Sequence, residues 1–287
     1  MPGTLVFSHA NGFPAGTYRL LFEAWRDAGW RVAAIEKFGH EPAFPVTGNW
    51  PRLREQLLQF IAAQGGPVHL VGHSLGGYLS LMAACRRPPA LRDRVRSVVL
   101  IDSPVLTGWR AHSVQMMKLG GIFKRFTPGR VSQRRRWRWP AADAALAHFQ
   151  SKAAFGRWHP EVLRDYIAAG MEADPDALPG AVRLAFHRDI ETALYNTLPH
   201  NLGRMLQRHP LQLPVAYLAG TRSVEGRQVG LAATRALVQE RIEWIDGSHL
   251  FPMEKPAETA AAVLRHLQSV EAARLARPPR PGSLQSS

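Results

Sequence analysis

The sequence predicts an α/β fold: a mostly parallel sheet of about six strands with helices on both faces, and a helical insertion between the fourth and fifth strands. Three observations predict it. Six short apolar runs alternate with stretches of helical periodicity. The runs are apolar nearly throughout rather than at every second residue, as expected of strands covered on both faces. About 110 residues of mostly helical pattern, 103–213, separate the fourth run from the fifth.

The first strand is "TLVF" (4–7). "TYRLLFEAWRDAG" follows, with Leu21, Phe22, Trp25 and Ala28 on one helical face and a glycine at its end. "RVAAIE" (31–36) is the second strand. "NWPRLREQLLQFIAAQGG" offers Asn49 as N-cap and a proline in the first turn. It places Leu53, Leu57, Phe60 and Ile61 on one face. "PVHLVG" (67–72) and "VRSVVLID" (95–102) are the third and fourth strands, "PVAYLAG" (214–220) and "RIEWID" (241–246) the fifth and sixth. Helical periodicity recurs over 230–239, and "PAETAAAVLRHLQSVEAARL" (256–275) forms a long last helix. Residues 1–102 and 214–275 thus make the core. The insertion 103–213 is too long to be structureless in a compact domain and is expected to be a helical subdomain over one edge of the sheet. The Pro- and Ser-rich tail 276–287 has little to bury.

The 287 residues, 46% of them hydrophobic, suffice for one large domain or one domain with an insertion. A single cysteine, Cys85, excludes an internal disulfide and fits a reducing compartment. The N-terminal "MPGTLVFSHANGF" lacks the basic region of a secretory leader, and no uncharged apolar stretch is long enough to span a bilayer. A cytoplasmic setting without a membrane span is expected. The net charge of +14 is compatible with anionic partners, but the richness in Ala, Arg, Pro and Gly points to compositional bias.

The chemistry centres on "VHLVGHSLGGYLSLMAAC". Gly72-His73-Ser74-Leu75-Gly76 is a G-x-S-x-G between an apolar strand and an apolar helix, the setting that forces a serine up at the edge of a sheet. The helix N-terminus offers free N–H groups, including that of Leu75, to a developing oxyanion. A serine hydroxyl needs a base to take its proton. His249, in "WIDGSHLFPMEKP", follows the last strand and so faces the same sheet edge as Ser74. No metal, dinucleotide or nucleotide-phosphate motif is present, and the chemistry requires no cofactor.

With "LVGHSLGG" as elbow, "GSHLFP" as histidine turn and "VFSHANGFPAG" as the first loop, residues 3 to about 270 resemble an α/β-hydrolase. "FGHEPAF" (38–44) also resembles a loop of many relatives. The resemblance implies a serine hydrolase acting on an ester-like bond, with 103–213 as a helical cap that roofs the pocket and selects substrates. It implies that the second oxyanion N–H comes from Asn11, with Phe13, which precedes a proline, as the alternative. Thioesterase, amidase, perhydrolase and carbon–carbon hydrolase chemistry use the same residues. Haloalkane dehalogenases and epoxide hydrolases resemble the fold but carry an aspartate where Ser74 stands. A non-catalytic ligand-binding protein on this fold is a further alternative.

The acid is open. In many relatives it follows the strand that here ends at Gly220, yet Ser223 occupies that place. Asp102, at the end of the fourth strand, and Glu225, two residues past Ser223, compete for the role. Asp102 is preferred, because a charge ending so apolar a strand needs a buried partner. Residues 113–142 hold eight Lys or Arg and no acid, with Arg134, Arg135, Arg136 and Arg138 beside Trp137 and Trp139. Such a run can contact nucleic acid or lipid, or be part of a cap. The cap is favoured and no nucleic acid is expected. Trp109, Met116, Met117, Phe123 and Trp158 add apolar surface and suggest a small-molecule substrate with an apolar acyl or aromatic part.

Overall fold

The computed structural model describes residues 3–105 and 132–276. Its main sheet has six strands, all parallel: β1 (Thr4–Ser8), β2 (Arg31–Ala34), β3 (Val68–His73), β4 (Val95–Ile101), β8 (Val215–Gly220) and β9 (Ile242–Ile245). They lie in the order β2-β1-β3-β4-β8-β9. The chain steps from β1 outward to β2 and then returns to β3 on the other side of β1. A crevice opens at the carboxyl ends of the strands where the order reverses.

Both faces are covered. Leu5 and Phe7 of β1 join one core with α1 (Arg19–Asp27) and the last helix, α8 (Pro256–Leu275). Val6, between them, joins the other core with α2 (Pro51–Ala63) and α3 (Leu75–Arg86). Successive side chains of a strand point to opposite faces, so each strand feeds two cores and is apolar at nearly every position. Leu21, Phe22 and Trp25 are buried on α1 as the periodicity predicts, whereas Ala28 ends the helix exposed. Asn49 does not cap α2. The N-cap is Trp50, and Asn49 Oδ1 instead accepts the His200 N–H at 3.0 Å, a long-range bond that local periodicity does not encode.

Between β4 and β8 the described residues contain α4 (Ala142–Gln150), α5 (Pro160–Gly170), α6 (Arg188–Asn196) and α7 (Leu202–Arg208). They also contain a small antiparallel sheet in the order β5-β7-β6: β5 (Arg138–Trp139), β6 (Met171–Ala173) and β7 (Val182–Leu184). The insertion is therefore not purely helical. Strands of two or three residues are too short to show a period, and their pairing is long-range. A cluster of Phe149, Phe155, Trp158 and Tyr166 anchors it to Phe13 of the first loop, with Phe13–Trp158 and Phe13–Tyr166 ring centroids 5.6 and 5.7 Å apart. Among the described residues, no helix is long and apolar enough to cross a membrane.

Candidate active site

Ser74 stands between β3 and α3 with φ 53° and ψ −114°, a strained conformation for a residue with a side chain. Its backbone is held by its own N–H, which bonds Ile101 O at 3.0 Å. The turn is possible because α3 approaches β1 very closely: a Cβ on Gly76 would collide with the Ser8 carbonyl. The sharp turn lifts the Ser74 hydroxyl above the sheet edge.

His249 follows β9, the strand two places from β4. Its loop crosses back over the end of β8, where the Gly247 and Ser248 carbonyls lie 2.8 and 2.6 Å from the place a Cβ on Gly220 would take. A glycine at 220 makes that crossing possible. It brings His249 Nε2 to 3.0 Å from Ser74 Oγ and Nδ1 to 2.7 Å from Asp102 Oδ2.

Asp102 continues from β4 with φ 42° and is 1% exposed. Its backbone N–H bonds Leu218 O at 2.9 Å. Besides His249, its carboxylate accepts the Ser223 hydroxyl on Oδ2 at 2.5 Å. Oδ1 accepts the Gly220 N–H at 3.2 Å and the Tyr217 hydroxyl at 3.4 Å. Burial works to raise the pKa of this carboxyl. The hydrogen bond and charge of His249, with the bonds from Ser223 and Gly220, outweigh it and hold the pKa below the usual carboxylate value. For His249, burial works to lower the pKa. The bond and charge of Asp102, helped by Glu225, bring it above the ordinary imidazole value.

Ser223, the residue after β8 at which the sequence resemblance implies an acid, donates its hydroxyl to Asp102 at the end of the neighbouring β4. The same oxygen accepts the Gly226 N–H at 3.1 Å, capping the short helix Val224–Val229. Glu225 is exposed, and its nearest hydrogen-bond partner is the Ser223 hydroxyl at 3.5 Å. Asp102, Glu225 and His249 are the one group of three potential metal ligands among the described residues, with donor atoms within 4.8 Å of one another. The bond between His249 Nδ1 and Asp102 already occupies two of those donors.

Asn11 and Phe13 both line the cavity above Ser74. The Phe13 N–H is spent on Ala10 O at 3.2 Å, whereas among the described residues the N–H groups of Asn11 and Leu75 donate to no protein acceptor. The Asn11 side chain is held by donating to Glu191 O at 3.0 Å, which ties this loop to the insertion. The cavity has a volume of about 350 Å³, and Tyr195, Arg222, Val224, Glu225, Ser248 and Leu250 complete its wall with Ala10 and His249. Its lining mixes apolar side chains, Phe13, Val224 and Leu250, with polar ones. Trp158 packs in the aromatic cluster and does not line it, while Trp109, Met116, Met117 and Phe123 lie outside the described residues. A larger cavity of about 660 Å³ at the opposite end of the strands is lined by Arg87, Arg92, Arg96, Arg241 and Arg274 among others, and contains no histidine.

Of the described Arg–Trp run, Arg134 is exposed, while Arg135, Arg136 and Arg138 are engaged within the chain. Arg135 is paired with Glu191 at 3.1 Å. Arg138 stacks on Trp137 at 4.1 Å and pairs with Asp174 and Asp176 at 2.8 and 2.6 Å. Arg136 lies over Trp139 at 5.6 Å.

Three contacts at the site escape sequence reasoning: the Tyr217 and Ser223 bonds to Asp102, and a bond from Tyr18 to His73. Tyr217 alternates on β8 with residues of the opposite face, which is the one local signal it gives.

The model of the alpha/beta hydrolase family matches residues 5–262. No curated protein matches the chain. Among solved structures, E-2-(acetamidomethylene)succinate hydrolase is 21% identical, with 93% of this chain and 91% of that chain covered and a TM-score of 0.65. The peroxisomal alpha-beta-hydrolase Lpx1 of Saccharomyces cerevisiae is 15% identical, covering 100% and 83%, with a TM-score of 0.67. The thioesterase domain from the curacin biosynthetic pathway is 17% identical, covering 91% of each chain, with a TM-score of 0.67. At these identities the likeness is one of fold.

Proposed function

This chain belongs to the alpha/beta hydrolase family, and from that premise we propose that it is a serine hydrolase cleaving an ester-like bond through an acyl-enzyme. The observation that carries the reading is the unbroken chain from Ser74 Oγ to His249 Nε2 at 3.0 Å and from His249 Nδ1 to Asp102 Oδ2 at 2.7 Å. The ring presents an acceptor nitrogen to the hydroxyl only when Nδ1 carries the proton. A buried carboxylate on Nδ1 enforces that tautomer.

In this mechanism Ser74 Oγ attacks the substrate carbonyl carbon while its proton passes to His249 Nε2. The carbonyl π electrons move to oxygen, and the N–H groups of Leu75 and Asn11 stabilise the oxyanion. Collapse expels the alcohol, which takes the proton from Nε2. Water then attacks the acyl-enzyme by the same route and frees Ser74. The spent Phe13 N–H favours Asn11 as the second donor. The direct bond to Nδ1 favours Asp102 over Glu225 as the acid, and it argues against a non-catalytic protein that has lost its acid.

Residues 103–213 are proposed as the cap, since Tyr195 of α6 lines the cavity and Glu191 holds Asn11. Phe13, Val224 and Leu250 suit a small apolar acyl group, and the polar remainder suits a substrate carrying polar groups as well. Thioesters and amides are served by the same residues, so a substrate panel ranks them. The first test is a fluorophosphonate probe, with mass spectrometry locating the adduct. Labelling of Ser74 in the wild type, its loss in Ser74→Ala, and turnover of p-nitrophenyl esters are the expected results. A wild type that neither labels nor turns over ester overturns the reading.

A further inference from the structure

We propose that His73 and Tyr18 are positioning residues: together they form an uncharged hydrogen-bond relay that fixes the first loop, the serine elbow and the histidine loop relative to one another. The proposal rests on the serine-hydrolase reading and adds to it two groups that never touch substrate.

His73 precedes Ser74 and is fully buried. Its Nε2 lies 2.9 Å from the backbone oxygen of His249. A carbonyl oxygen only accepts, so Nε2 carries a proton. In a neutral ring Nδ1 is then an acceptor, and the Tyr18 hydroxyl lies 2.8 Å from it. The Tyr18 oxygen in turn accepts the Ala10 N–H at 3.2 Å. Because the ends are a fixed backbone donor and a fixed backbone acceptor, every proton between them is assigned: Ala10 N–H to Tyr18 O–H to His73, and His73 N–H to the His249 carbonyl. The chain joins residues separated in sequence by 8, 55 and 176 positions. Ala10 adjoins Asn11, His73 adjoins Ser74, and His249 is the base. Asp102 and Ser74 orient the His249 ring, while the relay sets where its backbone stands.

The chemistry of the two side chains suits this task. Burial first, and then the nearby His249, lower the His73 pKa to about 3. Burial raises that of Tyr18 well above the ordinary phenol value. Neither charges in the range where His249 works. The His73 and His249 rings are 5.1 Å apart between centroids. A cation at 73 would oppose the imidazolium that forms at His249, and a neutral imidazole supplies the N–H donor without that penalty.

The test uses the full chain with Tyr18→Phe, His73→Phe, the double variant and His73→Gln, whose amide N–H can still reach the His249 carbonyl. The readouts are kcat and KM for a p-nitrophenyl ester, the rate of fluorophosphonate labelling of Ser74, the pH profile and the melting temperature. A misplacement of about 1 Å can cost about a hundredfold. His73→Phe is therefore expected to lose about a hundredfold in kcat and labelling with KM within about threefold. His73→Gln should recover at least about tenfold of that loss. Tyr18→Phe should lose about tenfold without moving the acid limb of the pH profile, because the relay carries no charge. The double variant should be no worse than His73→Phe, since both break one chain. Tyr18→Phe removes one hydroxyl and keeps the ring, so it decides alone if His73→Phe fails to fold. Rates within about twofold of wild type in Tyr18→Phe, or His73→Gln no better than a folded His73→Phe, overturn the relay while wild-type labelling stands. Absence of wild-type labelling overturns the underlying reading and this one with it.

Discussion

Replacing Asp102 by asparagine tests the proposed acid most sharply, because the structure dictates what the amide must do. Oδ1 receives the fixed Gly220 N–H, at 3.2 Å, and the Tyr217 hydroxyl. Oδ2 receives the Ser223 hydroxyl and His249 Nδ1. An amide has one accepting end. The Gly220 N–H cannot turn away, so the amide oxygen takes the Oδ1 place and the NH₂ faces Ser223 and His249. Ser223 can rotate to accept. His249 Nδ1 must lose its proton to accept, which moves the proton to Nε2, against Ser74 Oγ, where it cannot serve as base. Such a wrong tautomer is known to lower kcat by about ten thousandfold in a serine triad, equivalent to about 5.5 kcal/mol of transition-state stabilisation. The assay is p-nitrophenyl ester turnover beside Glu225→Gln, with melting curves showing that both variants fold. A loss below about tenfold in Asp102→Asn, or a larger loss in Glu225→Gln, refutes the assignment.

Because Asp102 and Glu225 raise the His249 pKa, neutral imidazole appears only at higher pH. The acid limb of kcat/KM should fall above the ordinary histidine value of about 6.5 and move to lower pH in Glu225→Gln, with little change in the plateau. Ser223→Ala removes a hydrogen bond to a buried carboxylate while leaving three donors, and should lower kcat about tenfold, measured against an unchanged KM. Gly76→Ala drives a methyl into the Ser8 carbonyl and should lower stability by about 2 kcal/mol or more in denaturant titration, with loss of Ser74 labelling. Arg135→Ala leaves the Glu191 carboxylate, with only 7% of its side chain exposed, without its cation, and should destabilise by about 3 kcal/mol on the same titration.

Ser74 is legible because everything that makes the elbow is contiguous: an apolar strand, two glycines at fixed offsets and a helix. His249 is legible from chain order, since a loop that follows a parallel strand opens at the same sheet edge as every other such loop. The acid is legible only as a choice between two residues. Asp102 lies 147 positions from its partner, and their meeting depends on the histidine loop crossing β8 at Gly220. Glu225 is nearer in sequence and has the longer side chain, yet the short helix Val224–Val229 leaves it exposed at the cavity wall. The Asn49 cap fails and the short strands of the insertion go unread for one reason: a long-range bond outcompetes or creates the local feature.

Hydrophobic periodicity and the glycine-framed serine are local properties of the chain, carried by neighbours within a few residues. They suffice to determine the six parallel strands, the helices on both faces and the place of Ser74. The partner of the His249 ring, the Asn11 N–H left without an acceptor among the described residues, the turn of Ser223 from missing acid to hydrogen-bond donor, and the Tyr18–His73 relay are decided only by the tertiary structure. Each is a contact of a few ångströms between segments that are distant in sequence. Such a contact is selected by the packing of the whole sheet, not by the residues on either side of it.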